Sequence, residues 1–211
     1  MASKRLISQG ITHVQVTIPA LSPYIETRQR FNLQPQAHEG SRYFESLALS
    51  VIGQQISTSA ARSISERVRD SMSGSITPRK VLNRTETELR SLGLSAAKVR
   101  TLQELSSAIV SKQIMLVDFP NLTDEEVIAQ LIPVWGIGRW TAEMFLMFTL
   151  GRLDVWPVGD YAVRKGWAIA HNLKETPTER EFQEYGRDAA PFRSIAAWYC
   201  WRAVEPVGKR P

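Results

Sequence analysis

Apolar positions recur along most of the chain with the period of a helix. From Arg42 to Ile56 (RYFESLALSVIGQQI), Phe44, Leu47, Leu49, Val51 and Ile52 gather on one broad stripe, and a second helical stretch, SAARSISERVRDSM, follows the Ser57–Thr58–Ser59 cluster. Thr85 and Glu88 have the spacing at which a threonine oxygen and a glutamate each take an orphan amide of a first turn, and the short helix they open ends at Gly93. Ser95 begins AAKVRTLQELSSAIVS, which is amphipathic throughout. Thr123 with Asp124, Glu125 and Glu126 starts another helix, its negative charges placed where the helix dipole favours them. Further helices are expected over Arg139 to Leu150, Tyr161 to Ala170, Thr178 to Asp188, with a second capping box in Thr178 and Glu181, and Arg193 to Val204. One segment departs from this period. Ile11 to Ile18 (ITHVQVTI) alternates as a strand does and is followed by Pro19 and Pro23, so residues 1–40 are read as an N-terminal arm packing on a helical domain of residues 41–211. The chain is expected to be all-α, in two lobes that are interleaved along the sequence.

Composition narrows the possible chemistry. No apolar run reaches the roughly 18 residues needed to span a bilayer, and the start, MASKRLISQGITHVQ, lacks the apolar core of a secretory signal, so no membrane partner and a cytoplasmic location are expected. Cys200 is the only cysteine, which excludes disulfides, multi-cysteine zinc sites and four-cysteine iron–sulfur clusters. His13, His38 and His171 have no metal-ligand spacing and are read as structural or surface residues. The net charge of +5 and sequence pI near 9.6 suit a polyanionic partner, and equally a solvated cationic face. Reactive groups must therefore come from carboxylates, histidines or hydroxyls.

The densest run of candidate chemistry is LIPVWGIGRWTAEMFLMFTLGRLDVWPVGDYAVRKGWAIA, residues 131–170. A helix runs into Pro133, turns through Gly136-Ile137-Gly138 and restarts at Arg139. The two glycines permit a tight hairpin that presents backbone amides at a new helix N-terminus, where a phosphate can sit. Many helix–helix turns carry glycine for purely structural reasons. No strand precedes this turn and Thr141 stands where a third glycine would be needed, so it is not a dinucleotide-binding fingerprint. Asp160 stands where it can cap the helix that begins at Tyr161.

Four ordered motifs carry a family resemblance: IGQQIS, GIGRWTAEM, DVWPVGDYAVRKG and PFRSIAAWYCW. Together, over Phe44 to Val204, they resemble the 3-methyladenine DNA glycosylase II branch of the helix-hairpin-helix DNA glycosylases. The resemblance implies a compact two-lobed all-α architecture with the active-site cleft between the lobes and the helix-hairpin-helix at residues 124–150. It implies a monofunctional enzyme that flips alkylated purines of the 3-methyladenine and 7-methylguanine class out of duplex DNA and excises them, in base-excision repair. Asp160 matches the family's catalytic aspartate, whose carboxylate stabilises the oxocarbenium character of the sugar as the glycosidic bond breaks. Asp154 matches no catalytic position and is expected to make a structural hydrogen bond.

Strand-cutting members of the superfamily carry a lysine where this chain has Trp140, so no lyase activity is expected; Lys165 is the nearest lysine. Trp140, Met144 and Trp201 match the walls of the base pocket, where electron-rich faces favour a cationic alkylated purine. Ordinary core packing is assigned instead to Trp135, Trp156 and Trp167. Gln55, with Gln54 and Ser57 as alternatives, matches the wedge that fills the gap left by the flipped nucleotide. Gly136, Gly138, Arg139 and Thr141 match the grip on the DNA backbone. No cofactor is required, although a sodium or potassium ion could be held by the backbone carbonyls of Ile132, Val134 and Ile137. A monomer acting on double-stranded DNA is expected.

Two departures stand out. Trp135 replaces the proline common before the first hairpin glycine, and Met144 replaces an aromatic residue, which implies a less aromatic pocket and a narrower range of lesions. The alternative that keeps the fold is a non-catalytic DNA-binding module in which Asp160 is only a helix cap. A bifunctional glycosylase–lyase is disfavoured by Trp140 and by the lack of cluster cysteines.

Overall fold

The computed structural model describes residues 4–28, 31 and 40–205; His38 lies outside them. Among the described residues every regular element is helical, as the periodicity predicts. The α-helices are α1 (Lys4–Thr17), α2 (Ser22–Thr27), α3 (Gly40–Gly53), α4 (Thr58–Ser71), α5 (Pro78–Leu82), α6 (Glu86–Ser91), α7 (Ala96–Val110), α8 (Asp124–Leu131), α9 (Arg139–Phe148), α10 (Tyr161–Ala170), α11 (Glu179–Tyr185) and α12 (Arg193–Val204). Short 3₁₀ helices occupy Pro19–Leu21 and Leu116–Asn121. The chain divides into two compact units, Gln36–Phe145 and a discontinuous one formed by Met1–Pro35 with Leu146–Pro211; the boundary falls within α9.

The continuous unit is built around α3 and α7. Tyr43, Phe44, Leu47, Val51 and Ile52 on α3 are buried, as are Leu102 and Leu105 on α7. Phe145 of α9 meets Tyr43 and Phe119 edge-on, with ring centroids 6.0 and 5.9 Å apart. Helix starts follow the local chemistry. Thr85 and Glu88 form the expected reciprocal cap of α6, and Thr123 with Glu126 forms another at α8. Helix α5 and the 3₁₀ helix at Leu116–Asn121 have no counterpart in the periodicity; five residues opened by Thr77 and Pro78 are too few to show one.

In the discontinuous unit the strand expected at Ile11–Ile18 is instead the second half of α1. The alternation there is local, whereas Ile7, Gly10 and Val14 have helical spacing and form the buried face. A Cβ on Gly10 would run into Phe192 and Ile195, so this face lies close against α12. Helix α10 also packs on α12, and a Cβ on Gly166 would collide with the main-chain carbonyl of Cys200. Trp156 stacks on Phe182 at 4.3 Å and donates its indole N–H to the Phe182 carbonyl at 2.8 Å, while Trp167 lies parallel to Tyr185 at 5.6 Å. These two tryptophans are core residues, as expected. His171 stacks on Trp167 at 4.0 Å, and His13 Nε2 lies 3.1 Å from the Asp188 carbonyl oxygen. Cys200 is fully buried, and desolvation raises its thiol pKa far above the ordinary range, which leaves it unreactive.

Candidate nucleic-acid interface and active-site residues

The turn between α8 and α9 forms because Gly136 adopts φ = 81°. That left-handed conformation suits glycine, and a Cβ here would strike Thr101 Oγ1 of α7, so the turn lies directly on that helix. Nothing lies within 4 Å of a Cβ placed on Gly138, which is exposed beside the start of α9. The Val134 carbonyl accepts from the Ile137 N–H at 3.0 Å, and the Gly138 carbonyl from the Ala142 N–H at 3.1 Å.

The two other grip candidates are already engaged. Thr141 is only 3% exposed, and its Oγ1 accepts from Gln54 Nε2 at 3.2 Å. Arg139 holds Glu125 through both terminal nitrogens, NH1 at 3.1 Å, and donates Nε to Glu143 at 3.0 Å. Hydrogen bonding to Arg139 holds the Glu125 carboxyl below its usual pKa range, and Glu125 in turn raises the Arg139 pKa. Trp135, assigned to the core from sequence, is 42% exposed. Its ring lies 4.5 Å from the Arg100 guanidinium, and its N–H donates to Glu104 Oε2 at 3.1 Å.

The three wedge candidates differ in their commitments. Gln54 turns inward and donates Nε2 to the Gly136 carbonyl as well as to Thr141, each at 3.2 Å, tying this loop to the hairpin. Ser57 caps α4, accepting from the Ala60 N–H at 3.3 Å. Gln55 is exposed and has φ = 57°, a conformation that costs a non-glycine residue about 1–2 kcal/mol. Lys98 Nζ donates to the Ile52 carbonyl at 2.8 Å, fixing the end of α3; partial burial lowers its pKa. Ser50, Gly53, Gln54, Gln55 and Trp140 line a cavity of about 650 Å³. Trp140 is 43% exposed there, while Met144, one turn further on, is buried.

Asp160 and Trp201 belong to the discontinuous unit. Asp160 is buried at the N-terminus of α10, and its Oδ1 accepts from the Val163 N–H at 3.0 Å. The cap that sequence reading weighed against catalysis is therefore real, and it also fixes the direction of the carboxylate. Trp201 is half-buried, its ring 5.7 Å from that of Phe148. Asp154 makes the structural contact expected of it, a two-point ion pair with Arg193 at 2.7 and 2.8 Å. Lys165 is exposed on α10.

A family model described as "HhH-GPD superfamily base excision DNA repair protein" matches residues 48–191, which include the hairpin, the loop after α3 and Asp160. The chain belongs to this superfamily. Among curated HhH-GPD relatives, DNA-3-methyladenine glycosylase 1 of Schizosaccharomyces pombe is 35% identical over 175 residues, 81% of this chain and 77% of that protein. The solved structure of S. pombe 3-methyladenine DNA glycosylase (Mag1) in complex with abasic DNA is 32% identical, with a TM-score of 0.79 over 92% of this chain and 95% of the other. A DNA-3-methyladenine glycosidase structure from Bacillus halodurans is 28% identical, with a TM-score of 0.79 over 92% and 88%.

The structure brings Gln54, Gln55, Gly136, Trp140 and Thr141 into one surface region of the continuous HhH-GPD unit. The motifs carry no signal for the residues that hold this region in place. Glu104 and Lys98 on α7 are such residues, through the Trp135 N–H and the Ile52 carbonyl; Arg100, over the Trp135 ring, and Ile56, an exposed apolar side chain next to Gln55, lie beside them. Arg100 and Glu104 have the i,i+4 spacing of an ion pair, a signal too common to single them out.

Proposed function

We propose that the protein is a monofunctional DNA N-glycosylase that excises alkylated purines from duplex DNA, leaving an abasic site. The observation that carries this reading is Asp160, a buried carboxylate fixed by the first turn of α10 in a chain that is 35% identical to a 3-methyladenine glycosylase over most of its length. In the reaction the bond between C1′ and the purine nitrogen breaks with its electron pair going to the base. An alkylated purine that was cationic therefore leaves neutral. The Asp160 carboxylate stabilises the positive charge that develops on the sugar, water adds its oxygen to C1′, and the water proton passes to the carboxylate or solvent. Trp140, Met144 and Trp201 form the base-recognition set, and Gln55 fills the gap in the duplex.

Trp140 also supports the absence of lyase chemistry. Its indole cannot form a Schiff base, and the Lys98 amine is committed to the Ile52 carbonyl. The protein acts as a cytoplasmic monomer without a required cofactor. The carbonyls of Ile132, Val134 and Ile137 form the turn in which a sodium or potassium ion would be held; Val134 is already an acceptor for one N–H and would offer its second lone pair. Such an ion would brace the hairpin, and tighter DNA binding in potassium than in choline chloride would reveal it.

The decisive experiment is chromatography of bases released from methylated duplex DNA by wild type and Asp160→Asn, with borohydride trapping alongside. Methylpurine release by wild type alone, without a trapped adduct, is expected. Equal release by both proteins would remove Asp160 from the mechanism, a trapped adduct would establish a lyase, and DNA binding without release by either would leave a binding module.

A further inference from the structure

A hairpin that grips a phosphate gains from a cation beside its amides, and Arg139, the arginine within the turn, is poorly placed to supply it. Its three nitrogens are engaged by Glu125 and Glu143, the latter 4% exposed, so two carboxylates face one guanidinium. Freeing it would break an ion pair to a buried carboxylate, which is costly. Lys98 is no better, because its ammonium is occupied at the end of α3.

Arg100 is differently arranged. Its guanidinium lies 4.5 Å from the centre of the Trp135 ring, the residue immediately before Gly136. Only Nε is tied down within the protein, to Glu104 Oε1 at 2.8 Å, and among the described residues NH1 and NH2 have no hydrogen-bond partner. Glu104 uses its other oxygen to accept the Trp135 N–H at 3.1 Å, so α7 holds ring, carboxylate and guanidinium as one assembly against the turn. The Arg100 side chain remains 58% exposed. An arginine held in this way keeps the paired N–H edge that matches two phosphate oxygens, and has already lost much of the rotamer freedom that binding would otherwise remove.

We infer that Arg100, laid on Trp135, is a phosphate-binding residue that supplies the cation for the DNA-backbone grip at the Gly136–Gly138 turn, while Arg139 braces the hairpin. The inference rests on the DNA-glycosylase reading above. It also gives Trp135 a role, since the proline common at this position offers neither an aromatic face nor an N–H for Glu104.

The test measures binding of an undamaged duplex and of a duplex carrying a tetrahydrofuran abasic analogue, across about 0.05–0.2 M salt. Arg100→Gln is compared with Arg139→Gln and with Arg90→Gln, an equal change of charge on α6. A lost phosphate contact lowers the slope of log affinity against log salt by about 0.9. Arg100→Gln is expected to show that change and roughly fivefold to tenfold weaker binding, with a thermal midpoint close to wild type. Arg139→Gln is expected to lower the midpoint and leave the slope in place. An Arg100→Gln slope equal to that of wild type or of Arg90→Gln would overturn the assignment, as would a fall in midpoint without a change of slope, the mark of a brace. Wild-type protein that binds neither duplex would overturn the glycosylase reading itself, an outcome distinct from salt-dependent wild-type binding with an unmoved Arg100→Gln slope.

Discussion

Gln55→Gly is expected to make the protein more stable and less active at once. At φ = 57° the wild-type residue carries a backbone strain of about 1–2 kcal/mol that glycine does not. The side chain is exposed, so removing it forfeits little packing. The extra freedom of glycine in the unfolded chain offsets roughly 0.5–1 kcal/mol. The net gain is about 0.5–1 kcal/mol, or roughly 1–3 °C in thermal midpoint for a chain of this length. Activity should move the other way. An extruded nucleotide costs a few kcal/mol of stacking and pairing. If the Gln55 side chain recovers about 1.5–2 kcal/mol of this at the transition state, its loss slows single-turnover base release by about 10–30-fold. Gln55→Ala keeps the strain and loses the side chain, so it should match the glycine variant in rate without its gain in stability. Calorimetry and single-turnover release from a methylated duplex measure the two quantities. Wild-type rates in Gln55→Gly, or a midpoint below wild type, would refute the reasoning.

Two further outcomes follow from other parts of the fold. Gly166→Ala places a Cβ against the Cys200 main-chain carbonyl, which cannot swing aside, so α10 and α12 must separate; a loss of about 2–3 kcal/mol, roughly 5–10 °C in midpoint, is expected, and an unchanged melt would contradict it. Acid sensitivity follows from the three capping boxes. Glu88 and Glu126, chiefly through the N–H of the cap threonine, and Glu181, chiefly through its hydroxyl, have carboxyl pKa values lowered from 4.5. Their stabilisation is fully present above that value and is lost as pH falls through the lowered folded-state values. The midpoint should therefore decline below about pH 4.5, less steeply in the Glu88→Gln/Glu126→Gln/Glu181→Gln variant, which has no carboxyl to protonate at the caps; parallel declines would count against the caps.

The helices were legible where the signal is local and repeated. Apolar stripes mark α3 and α7, and paired Thr and Glu mark the starts of α6 and α11. The strand expected at Ile11–Ile18 was misplaced because alternation over a few residues outweighed a helical spacing that begins earlier, at Ile7. The choice between helix and strand there depends on contact with α12, which no local pattern records. In the candidate site, motif order located Gln54 and Gln55 but could not separate their roles. That distinction depends on one side chain turning toward the hairpin while its neighbour adopts a left-handed backbone. Core packing is the usual expectation for a tryptophan such as Trp135, whose exposed stack with Arg100 needs a partner more than thirty residues away.

The discontinuous unit has a consequence for the order in which the protein can be made. Contacts such as the one between His13 and the Asp188 carbonyl join positions 175 residues apart. Helix α1 therefore leaves the ribosome well before the helix it packs on, while residues 36–145 complete their own set of contacts in the interval. Until α12 is synthesised, the apolar face of α1 at Ile7 and Val14 lacks the helix that covers it. The nascent chain is thus open to aggregation and to chaperone capture at α1, and slow synthesis of the segment that carries α12 would prolong that exposure without touching a residue of the candidate interface.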